Sequence, residues 1–273
     1  MAFFIKASNI AVAWLSAMRY LWNQDGTAVN LLVVAEHGDE DPHLRHCLDT
    51  FLDGIHAKHK DVLPVETVAN TIFPKNLYQV AGSAEELFEL HAIARQVRDR
   101  LKEKEEYFDR LVSWRGSAGP VNQLKDVIKK LRTVSHLSSA YELALSSPED
   151  QHEQGALDLR IFDPQRDHRI MGFPCLSHVS LTIKDSKLHL TALYRNQHFL
   201  RKAYGNYLGL ASLASFLAEQ SGFGVGELAV VATHADLEIR TFTKKAVGRL
   251  IEECEATLVG DVAAQMSPVV VEH

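Results

Sequence analysis

The sequence predicts an α/β domain in which a sheet is backed by helices, and three observations lead to this fold class. Residues 176–183 and 188–194 alternate apolar and polar side chains and are rich in β-branched residues, which is typical of strands. A short polar turn separates these stretches, so we expect an antiparallel hairpin. No linker composition interrupts the 273 residues, which predicts one domain spanning 1–273. Apolar residues at helical spacing predict the principal helices near residues 9–22, 203–219 and 244–255.

Three further elements are predicted in the first half of the chain. Residues 29–35 form an apolar run short enough for a buried strand. Residues 121–133 place their apolar side chains on one helical face. The prolines Pro64 and Pro74 interrupt residues 62–80, so this stretch is expected to be extended chain.

A capping pattern predicts a long helix in the same half. Ser83 and Glu86 have the spacing of a capping box, in which each side chain satisfies a backbone N–H of the first turn. The helix is expected to run to about Tyr107 or beyond. Its charged portion, residues 95–106, is expected to form an exposed face.

Composition and charge exclude several classes of function. The chain is 46% apolar and 23% charged, which is ordinary for a globular protein. Its formal charge of −6 is spread along the chain, so no basic surface for a nucleic acid polymer is predicted. The apolar residues before position 22 are interrupted by Lys6 and Arg19, unlike a signal peptide or a membrane span. We therefore expect a cytoplasmic protein without a membrane partner.

The three cysteines do not form a recognisable framework. Cys47, Cys175 and Cys254 are too few and too scattered for disulfide pairing or a zinc site, which favours a reducing compartment. His43 and His46 lie next to Cys47 at helical spacing, but no second ligand pair accompanies them, so no metal is predicted. Cys254 falls on the apolar face of the last helix and is expected to lie in the core.

Cys175 is the cysteine that suggests chemistry. It follows a proline where a loop enters the first hairpin strand, and Arg195 follows the second strand. Asn206 lies at the start of the next helix, so the three side chains could converge at one end of the hairpin. A lone cysteine before a strand is more often a small buried hydrophobe. A nucleophile, a cation and an amide together are nevertheless consistent with a nucleotide site.

Four sequence anchors in order resemble the catalytic half of thymidylate synthase. Arg195 follows Cys175 by 20 residues, Asn206 follows Arg195 by 11, and Gly226 follows Asn206 by 20, which is similar to the spacing in that family. The anchors are Phe173-Pro174-Cys175 after Asp163-Pro164, the strand Leu188 to Arg195, Gly205-Asn206, and Val225-Gly226-Glu227-Leu228.

The resemblance implies a fold and an assembly. It implies a mixed, curved sheet with flanking helices in a single domain, with residues 155–240 as the catalytic half. Asn122-Gln123-Leu124 is similar to the family's helix before the active-site strand. Members of this family stack their sheets back to back, so a homodimer is expected.

The resemblance also implies a reaction. A pyrimidine C5 becomes nucleophilic only after a thiolate adds to C6, and Cys175 would be that nucleophile. Arg195 would lower the pKa of the thiol. The Asn206 amide can donate to O4 and accept from N3–H, which favours uracil over cytosine. A one-carbon unit would then reach C5, giving methylation or hydroxymethylation, with 5,10-methylenetetrahydrofolate as the family's donor.

Two further catalytic residues are assigned by the resemblance. Glu86, within Glu85-Glu86-Leu87-Phe88, would organise water and proton transfer, although Glu85 or Glu89 could serve and helix capping accounts for Glu86 equally well. Tyr107, with Arg110 and Trp114, is similar to the family's Tyr-Gly-x-x-Trp segment.

The chain departs from the family where phosphate is bound. The family's pair of phosphate-binding arginines corresponds to Gly155 and Ala156. Each charge-assisted contact that is lost would weaken binding by roughly 1.5–3 kcal/mol, so other cations must replace them. The available replacements, which the sequence leaves open, are Arg160, Arg166, Arg169, Arg201 and Lys202.

Three departures concern the cofactor and the sugar. His198 replaces the family's folate-holding aspartate, which leaves the folate cofactor open. Asp236 and Glu238 replace a histidine and a tyrosine at the sugar hydroxyl. Two carboxylates can accept bonds from two hydroxyls, which suggests a ribonucleotide or another altered sugar. Asn196 and His198 complete the predicted substrate-binding set with Arg195.

Two functions of different classes are compatible with these residues. The first is an enzyme that transfers a methyl or hydroxymethyl group to C5 of a pyrimidine nucleotide. The alternative is a non-catalytic nucleotide-binding or regulatory protein on the same scaffold. The joint presence of Cys175, Arg195 and Asn206 favours the enzyme.

Overall fold

A mixed sheet with helices on its flanks forms the protein, as a computed structural model describes it for residues 3–101, 104–116, 119–134, 158–163, 167 and 174–258. This confirms the predicted fold class. The strands are β1 (Phe3–Asn9), β2 (Thr27–His37), β3 (Trp114–Gly116), β4 (Gly119–Val121), β5 (Asp158–Arg160), β6 (Leu176–Lys184), β7 (Lys187–Tyr194), β8 (Gln197–His198) and β9 (Gly224–Asp236). The helices are α1 (Ile10–Asn23), α2 (Pro42–His56), α3 (Val65–Asn70), α4 (Lys75–Ala81), α5 (Ala84–Arg100), α6 (Tyr107–Val112), α7 (Gln123–Val134), α8 (Tyr204–Ser221), α9 (Ile239–Phe242) and α10 (Lys244–Thr257).

The sheet has the strand order β1-β2-β9-β7-β6-β5, with β8 added beside β9. β1 runs parallel to β2 and β7 runs parallel to β9, whereas the other neighbours along this order are antiparallel. β3 and β4 form a separate two-stranded ribbon. The end of β7 and the end of β9 therefore lie at the same edge of the sheet as the start of β6.

The predicted hairpin of β6 and β7 is confirmed, with Leu181 opposite Leu190. Its turn places Asp185 and Ser186 at φ values of 52° and 58°, the left-handed conformation that suits the twist of a two-residue hairpin. The alternation of buried and exposed residues along β7 puts Leu188, Leu190 and other apolar side chains into the core.

Helix α8 is the central core element because its first turns are buried on every side. Gly205 and Gly209 allow α3 to approach it closely. A Cβ at Gly205 would lie 2.7 Å from the Val65 carbonyl oxygen, and one at Gly209 would lie 2.6 Å from that of Ala69. Neither helix could keep this separation with a larger residue at these positions.

The prediction of extended chain over residues 62–80 is wrong. This stretch contains α3 and α4, and the two prolines precede the helices instead of breaking them, with Pro64 and Pro74 as the capping residues. Proline is well tolerated at a helix start because its missing N–H would have no intrahelical partner there. The two prolines, which suggested an interrupted stretch, thus mark the starts of α3 and α4.

The long helix predicted from Ser83 is partly confirmed. Ser83 caps α5 by accepting a hydrogen bond from the Glu86 N–H at 3.2 Å. The helix ends at Arg100, however, and Tyr107 begins a separate helix, α6. The other predicted elements, α1, β2, α7 and α10, are observed close to their expected bounds, and Cys254 is fully buried as expected.

The charged run at the end of α5 is not simply an exposed face. Arg98 reaches Asp109 at 2.7 Å and also pairs with Glu106. His91 and Asp109 are both nearly buried, and His91 Nε2 lies 3.3 Å from the carboxylate. These acids and the histidine are close enough to hold a cation, but the Arg98 guanidinium already pairs with both acids.

The Asp109 carboxylate makes the free energy of unfolding depend on pH in the acid range. Burial raises its pKa, but His91, the Glu106 N–H and Arg98 favour the charged form, and the net pKa lies below its ordinary value. A depressed folded-state pKa stabilises the fold above the unfolded-state pKa, and this contribution is lost as the pH falls. We expect the urea midpoint to fall between about pH 5 and pH 2. The Asp109→Asn protein should show a shallower dependence, and an equal slope would contradict this assignment.

Among the helices that the structure describes, none combines the length and the apolar character needed to cross a membrane.

Candidate active site at the edge of the central strands

Cys175 and Arg195 are brought together by the hairpin. Cys175 immediately precedes β6 and Arg195 immediately follows β7, and the pairing of Leu176 with Tyr194 places them side by side. The Arg195 backbone N–H donates to the Cys175 carbonyl oxygen at 2.9 Å. Its guanidinium donates to the Pro174 carbonyl oxygen at 2.8 Å and lies 3.9 Å from the centre of the Phe162 ring.

The environment of the Cys175 thiol differs from the one expected. Burial raises the pKa of the thiol, while the positive charges of Arg195 and Lys202 lower it by less. Arg195 therefore acts in the predicted direction, but the net pKa is raised, contrary to the prediction. Without a ligand the thiol is protonated at neutral pH, and a nucleophilic step requires that its proton be removed.

Two tyrosines, Tyr107 and Tyr194, lie near Cys175. Tyr107 lies beside the backbone of Leu176 and Cys175, and burial raises its pKa to about 12. Its phenol is therefore neutral at pH 7 and can act as a hydrogen-bond donor. Tyr194 is fully buried and lies near Tyr107, Tyr207 and Cys175, and burial raises the pKa of its phenol. Within the described ranges its hydroxyl has no hydrogen-bond partner.

Asn206 lies in the first turn of α8 and is only 5% exposed. Tyr207, the next residue, donates its hydroxyl to Gln197 Oε1 at 3.5 Å, and Gln197 follows Arg195 by two residues. The start of α8 therefore faces the same edge of the sheet as the hairpin end. In the part of the chain that the structure describes, no hydrogen bond is made by the Asn206 carboxamide. A nearly buried amide without a partner is suited to binding a ligand.

The predicted sugar-binding carboxylate of Glu238 is engaged within the protein. Glu238 is 3% exposed, and its Oε2 accepts the backbone N–H groups of Leu200 and Arg201, each at 3.1 Å. Its Oε1 accepts from the Arg201 side chain. These contacts assign Glu238 a structural role. Of the two acids that were predicted to face a sugar, Glu238 is therefore not available for that role. Asp236 is partly buried and uses Oδ1 to accept the Glu238 N–H at 2.7 Å.

Asn196 and His198 form a polar network beside these acids. The Asn196 amide lies 3.4 Å from His198 Nε2, and its Oδ1 lies 2.8 Å from His234 Nδ1. His198 Nδ1 lies 3.5 Å from Glu238. Both ring nitrogens of His198 therefore face groups of the protein itself.

Glu86 is not brought to this cluster. It is exposed at the start of α5, where Phe88 packs on Phe216 and Glu85 lies near Gln220, close to the end of α8. Asn206 lies at the opposite end of that helix. Ten residues of helix separate Asn206 from Phe216, which corresponds to about 15 Å. The capping geometry accounts for Glu86 where it stands.

Several predicted positions lie outside the described residues, namely Gly155, Ala156, Arg166 and Arg169. Of the other candidate phosphate ligands, Arg201 is paired with Asp61 and Glu238. The Arg160 backbone is fixed by Gln123, with its N–H donating to the Gln123 side chain at 2.8 Å. Lys202 is the candidate that interacts electrostatically with Cys175. The sequence carried no signal that separated Lys202 from the other cations.

A cavity of about 930 Å³ lies at the opposite edge of the sheet. It is lined by residues that include Glu36 and Gly226, at the end of β2 and the start of β9. Along β9, Gly226 is six residues from Ala232, the partner of Tyr194, which corresponds to about 20 Å. This cavity is therefore separate from the Cys175 site.

No protein-family model matches the chain. A curated protein of Methanosarcina mazei is 25% identical over 232 residues, which cover 85% of this chain and 87% of that protein. A protein of Methanosarcina acetivorans is 24% identical over 235 residues with the same coverage. A protein of Methanocaldococcus jannaschii is 26% identical over 121 residues, covering 44% of this chain and 49% of the relative.

All three relatives carry the name "Putative thymidylate synthase". The two Methanosarcina matches extend over most of both chains, beyond residues 155–240, whose motifs resemble this family. Together with the mixed sheet and its flanking helices, they support a likeness of this chain to the thymidylate synthases over most of its length.

Proposed function

We propose that the protein transfers a one-carbon unit, methyl or hydroxymethyl, to C5 of a uracil-type nucleotide through a Cys175 adduct at C6. The observation that carries this proposal is the placement of Cys175 beside Arg195, at the edge where the Asn206 carboxamide lies in the first turn of α8. The names of the relatives agree with a one-carbon transferase at this coarse level.

The reaction follows from the chemistry of the ring. The thiol loses its proton and the sulfur bonds to C6, which moves the C5–C6 electron pair to C5 and O4. The Asn206 amide donates to the developing charge on O4 and accepts from N3–H. C5 then bonds to the electrophilic carbon and loses its own proton, and elimination of the thiolate restores the ring. The Arg195 guanidinium stabilises the thiolate at both ends of this sequence.

The residues of the site do not fit the expected folate contact. Where the family has an aspartate for the pterin, this chain has His198, whose Nε2 lies 3.4 Å from the Asn196 amide and whose Nδ1 lies 3.5 Å from Glu238. A histidine held in this way offers no carboxylate to a pterin ring. We therefore leave the donor as a one-carbon unit at the oxidation level of formaldehyde. Hydroxymethylation needs only that unit, whereas methylation also needs two electrons from the donor.

Release of tritium from C5 tests the proposed reaction. A [5-³H]uracil nucleotide incubated with the protein and a panel of one-carbon donors should release tritium into water, because C5 must lose its proton after the new bond forms. The panel should include formaldehyde and reduced folates, each with deoxyribo- and ribonucleotides. Tight nucleotide binding with no release for any pair would exclude the transferase.

The alternative function, nucleotide binding without catalysis, is favoured by one observation. The pKa of the Cys175 thiol is raised by burial, which is unfavourable for a nucleophile in the free protein. In that case nucleotide binding would be unaffected by Cys175→Ala.

The expected homodimer and the cytoplasmic location stay predictions. Leu193 and Val225 are exposed apolar side chains of the sheet that a second copy could cover.

The Asn206→Asp variant should change the preferred base. A carboxylate accepts a bond from the cytosine amino group but repels the O4 of uracil. We expect binding of the uracil nucleotide to weaken by about tenfold or more, and binding of the cytosine nucleotide to improve, as measured by calorimetry. Asn122→Asp is the matched control, because Asn122 accepts the Lys125 N–H at a helix start, where aspartate is equally suitable. An unchanged base preference would remove Asn206 from the site.

A further inference from the structure

The cavity of about 930 Å³ lies where one face of α8 is left uncovered. The side chains of α8 are buried except those of Ser212, Ser215, Glu219 and Gln220, and the first three of these line the cavity. The other lining residues come from α3, α4, the loop after β2 and the start of β9. A core helix thus presents its polar side chains to one concave space, and the volume of this space suits a small molecule.

Several polar groups of the cavity have no partner within the protein. Among the described residues, no hydrogen bond is made by the lining side chains of Asn70, Asn76, Gln79, Ser212 and Ser215. The Asn70 Oδ1 atom is also buried. An acceptor that is buried without a donor is costly, so a ligand that carries N–H donors would stabilise this wall.

Negative charge is in excess among the lining residues. Lys75 is accompanied there by the carboxylates of Glu36, Asp39, Glu40, Glu66 and Glu219. In the part of the chain that the structure describes, Asp39 and Glu219 form no ion pair. A concave surface with this balance of charge repels phosphates and other anions and attracts cations.

The two cations next to the cavity do not remove this excess, because each is shared among acids. Lys6 pairs with Glu36 at 3.2 Å and with Glu227 at 2.7 Å. Arg45 pairs with Glu40 and with Asp49, and it lies 4.0 Å from Glu66. The local field therefore stays negative without a ligand.

The acids are spread along the cavity, which favours an extended organic cation over a metal ion. Among the described residues, the acids of this cavity do not converge closely enough to share a metal ion. Asp39 follows Gly38, where a Cβ would lie 3.0 Å from the Ala211 Cβ, so it marks one end of the lining face of α8. Glu219 lies eight residues further along the helix, which corresponds to about 12 Å.

The lining between these ends includes two aromatic side chains. The rings of Tyr78 and Phe216 have their centres 5.0 Å apart, and Tyr78 is partly accessible. Aromatic faces pack well on methylene groups and attract ammonium groups. The cavity therefore combines separate acidic ends, unpaired acceptors and an aromatic middle.

We propose that this cavity binds a linear aliphatic polyamine, with one protonated amine at Asp39 and another at Glu219. Every nitrogen of such a ligand is a charged donor, and ammonium–carboxylate hydrogen bonds are among the strong ones. An extended triamine such as spermidine has a length comparable with the separation of the two acids. The site is remote from Cys175, and the inference does not depend on the proposed reaction.

Calorimetry of the whole chain with spermidine tests this site without any nucleotide. At physiological ionic strength, where long-range attraction is screened, we expect one spermidine to bind per chain. Putrescine, a diamine too short to reach both acids, should bind about tenfold more weakly. Asp39→Asn and Glu219→Gln should each weaken spermidine binding several-fold, and together by about tenfold or more.

Two further variants separate the cavity from the general acidity of the protein. Asp25→Asn removes the same charge from a turn outside the cavity lining and should bind spermidine as wild type does. Ser215→Trp fills the cavity without changing the charge and should abolish binding. Asp39, Glu219 and Ser215 are exposed, so their variants are expected to melt at the wild-type temperature.

Four results would overturn the proposal. Equal weakening by Asp25→Asn and by the cavity variants, or several spermidine molecules per chain, would indicate non-specific attraction to an acidic surface. Wild-type affinity in Ser215→Trp would place the ligand elsewhere. No binding of spermidine to the wild-type protein would exclude the polyamine site outright.

Discussion

The Cys175→Ala variant is expected to form no covalent complex with a 5-fluorouracil nucleotide. In the proposed reaction the sulfur bonds to C6 and C5 bonds to the one-carbon unit, after which C5 must lose its substituent. A proton can leave C5 but fluorine cannot leave as a cation, so the wild-type protein should remain attached to the ring. Intact-protein mass spectrometry would show this adduct in wild-type protein and none in the variant. Tritium release from the C5-labelled substrate should fall to the background.

The control for this experiment is Cys47→Ala. Cys47 is a free cysteine on α2, remote in sequence from the hairpin, and its loss should leave the adduct intact. Nucleotide affinity provides the second readout. If Cys175→Ala binds the uracil nucleotide as tightly as wild type and the wild-type protein forms no adduct, the protein is a binding protein. An adduct that maps to Cys47 would contradict the assignment of the nucleophile.

The Asp167→Asn variant is expected to lose about 3–5 kcal/mol of unfolding free energy. Asp167 and Arg110 are each 8% exposed, and the guanidinium donates to both carboxylate oxygens at 2.5 and 2.9 Å. Arg110 also donates to the Ile161 carbonyl oxygen at 2.7 Å, and Asp167 accepts the Asp163 N–H at 2.9 Å. Removing the carboxylate leaves a buried cation whose remaining acidic partner is Glu105 at 3.0 Å.

Urea unfolding at neutral pH measures this effect, provided that the slope with denaturant is unchanged. Asp25→Asn is the matched control. It removes one member of the exposed pair with Lys244, at a left-handed residue where asparagine is equally suitable, and should cost less than about 1 kcal/mol. A double variant, Arg110→Met with Asp167→Leu, should recover part of the loss because no charge stays buried. A loss below 1 kcal/mol for Asp167→Asn would show that the pair is not essential to the fold.

The hairpin and the proximity of Cys175 to Arg195 could be predicted because their signal is local. A period of two in residues 176–194 fixes which side chains enter the core, and the turn length fixes which residues are opposite each other. Cys175 and Arg195 follow directly from that register. The same holds for the start of α8, where the apolar pattern places Asn206 in the first turn.

The errors arose where the outcome depends on distant residues. Pro64 precedes a helix, α3, that packs on α8 through Gly205 and Gly209, a contact that no local pattern reveals. The Glu238 carboxylate forms an ion pair with Arg201, which lies 37 residues earlier in the chain. The raised pKa of Cys175 reflects how deeply the thiol is buried, and spacing along the sequence contains no measure of depth.

The length of the π-helical turn Phe199–Ala203 sets the direction of the side chains that precede α8. In an ordinary α-helix each residue advances the side-chain direction by about 100°, so shortening this turn by one position would rotate everything before α8 by about that angle. The Arg201 guanidinium would then turn away from Glu238, and that nearly buried carboxylate would lose its ion pair. A deletion of one residue here is therefore expected to destabilise the junction between β8 and α8.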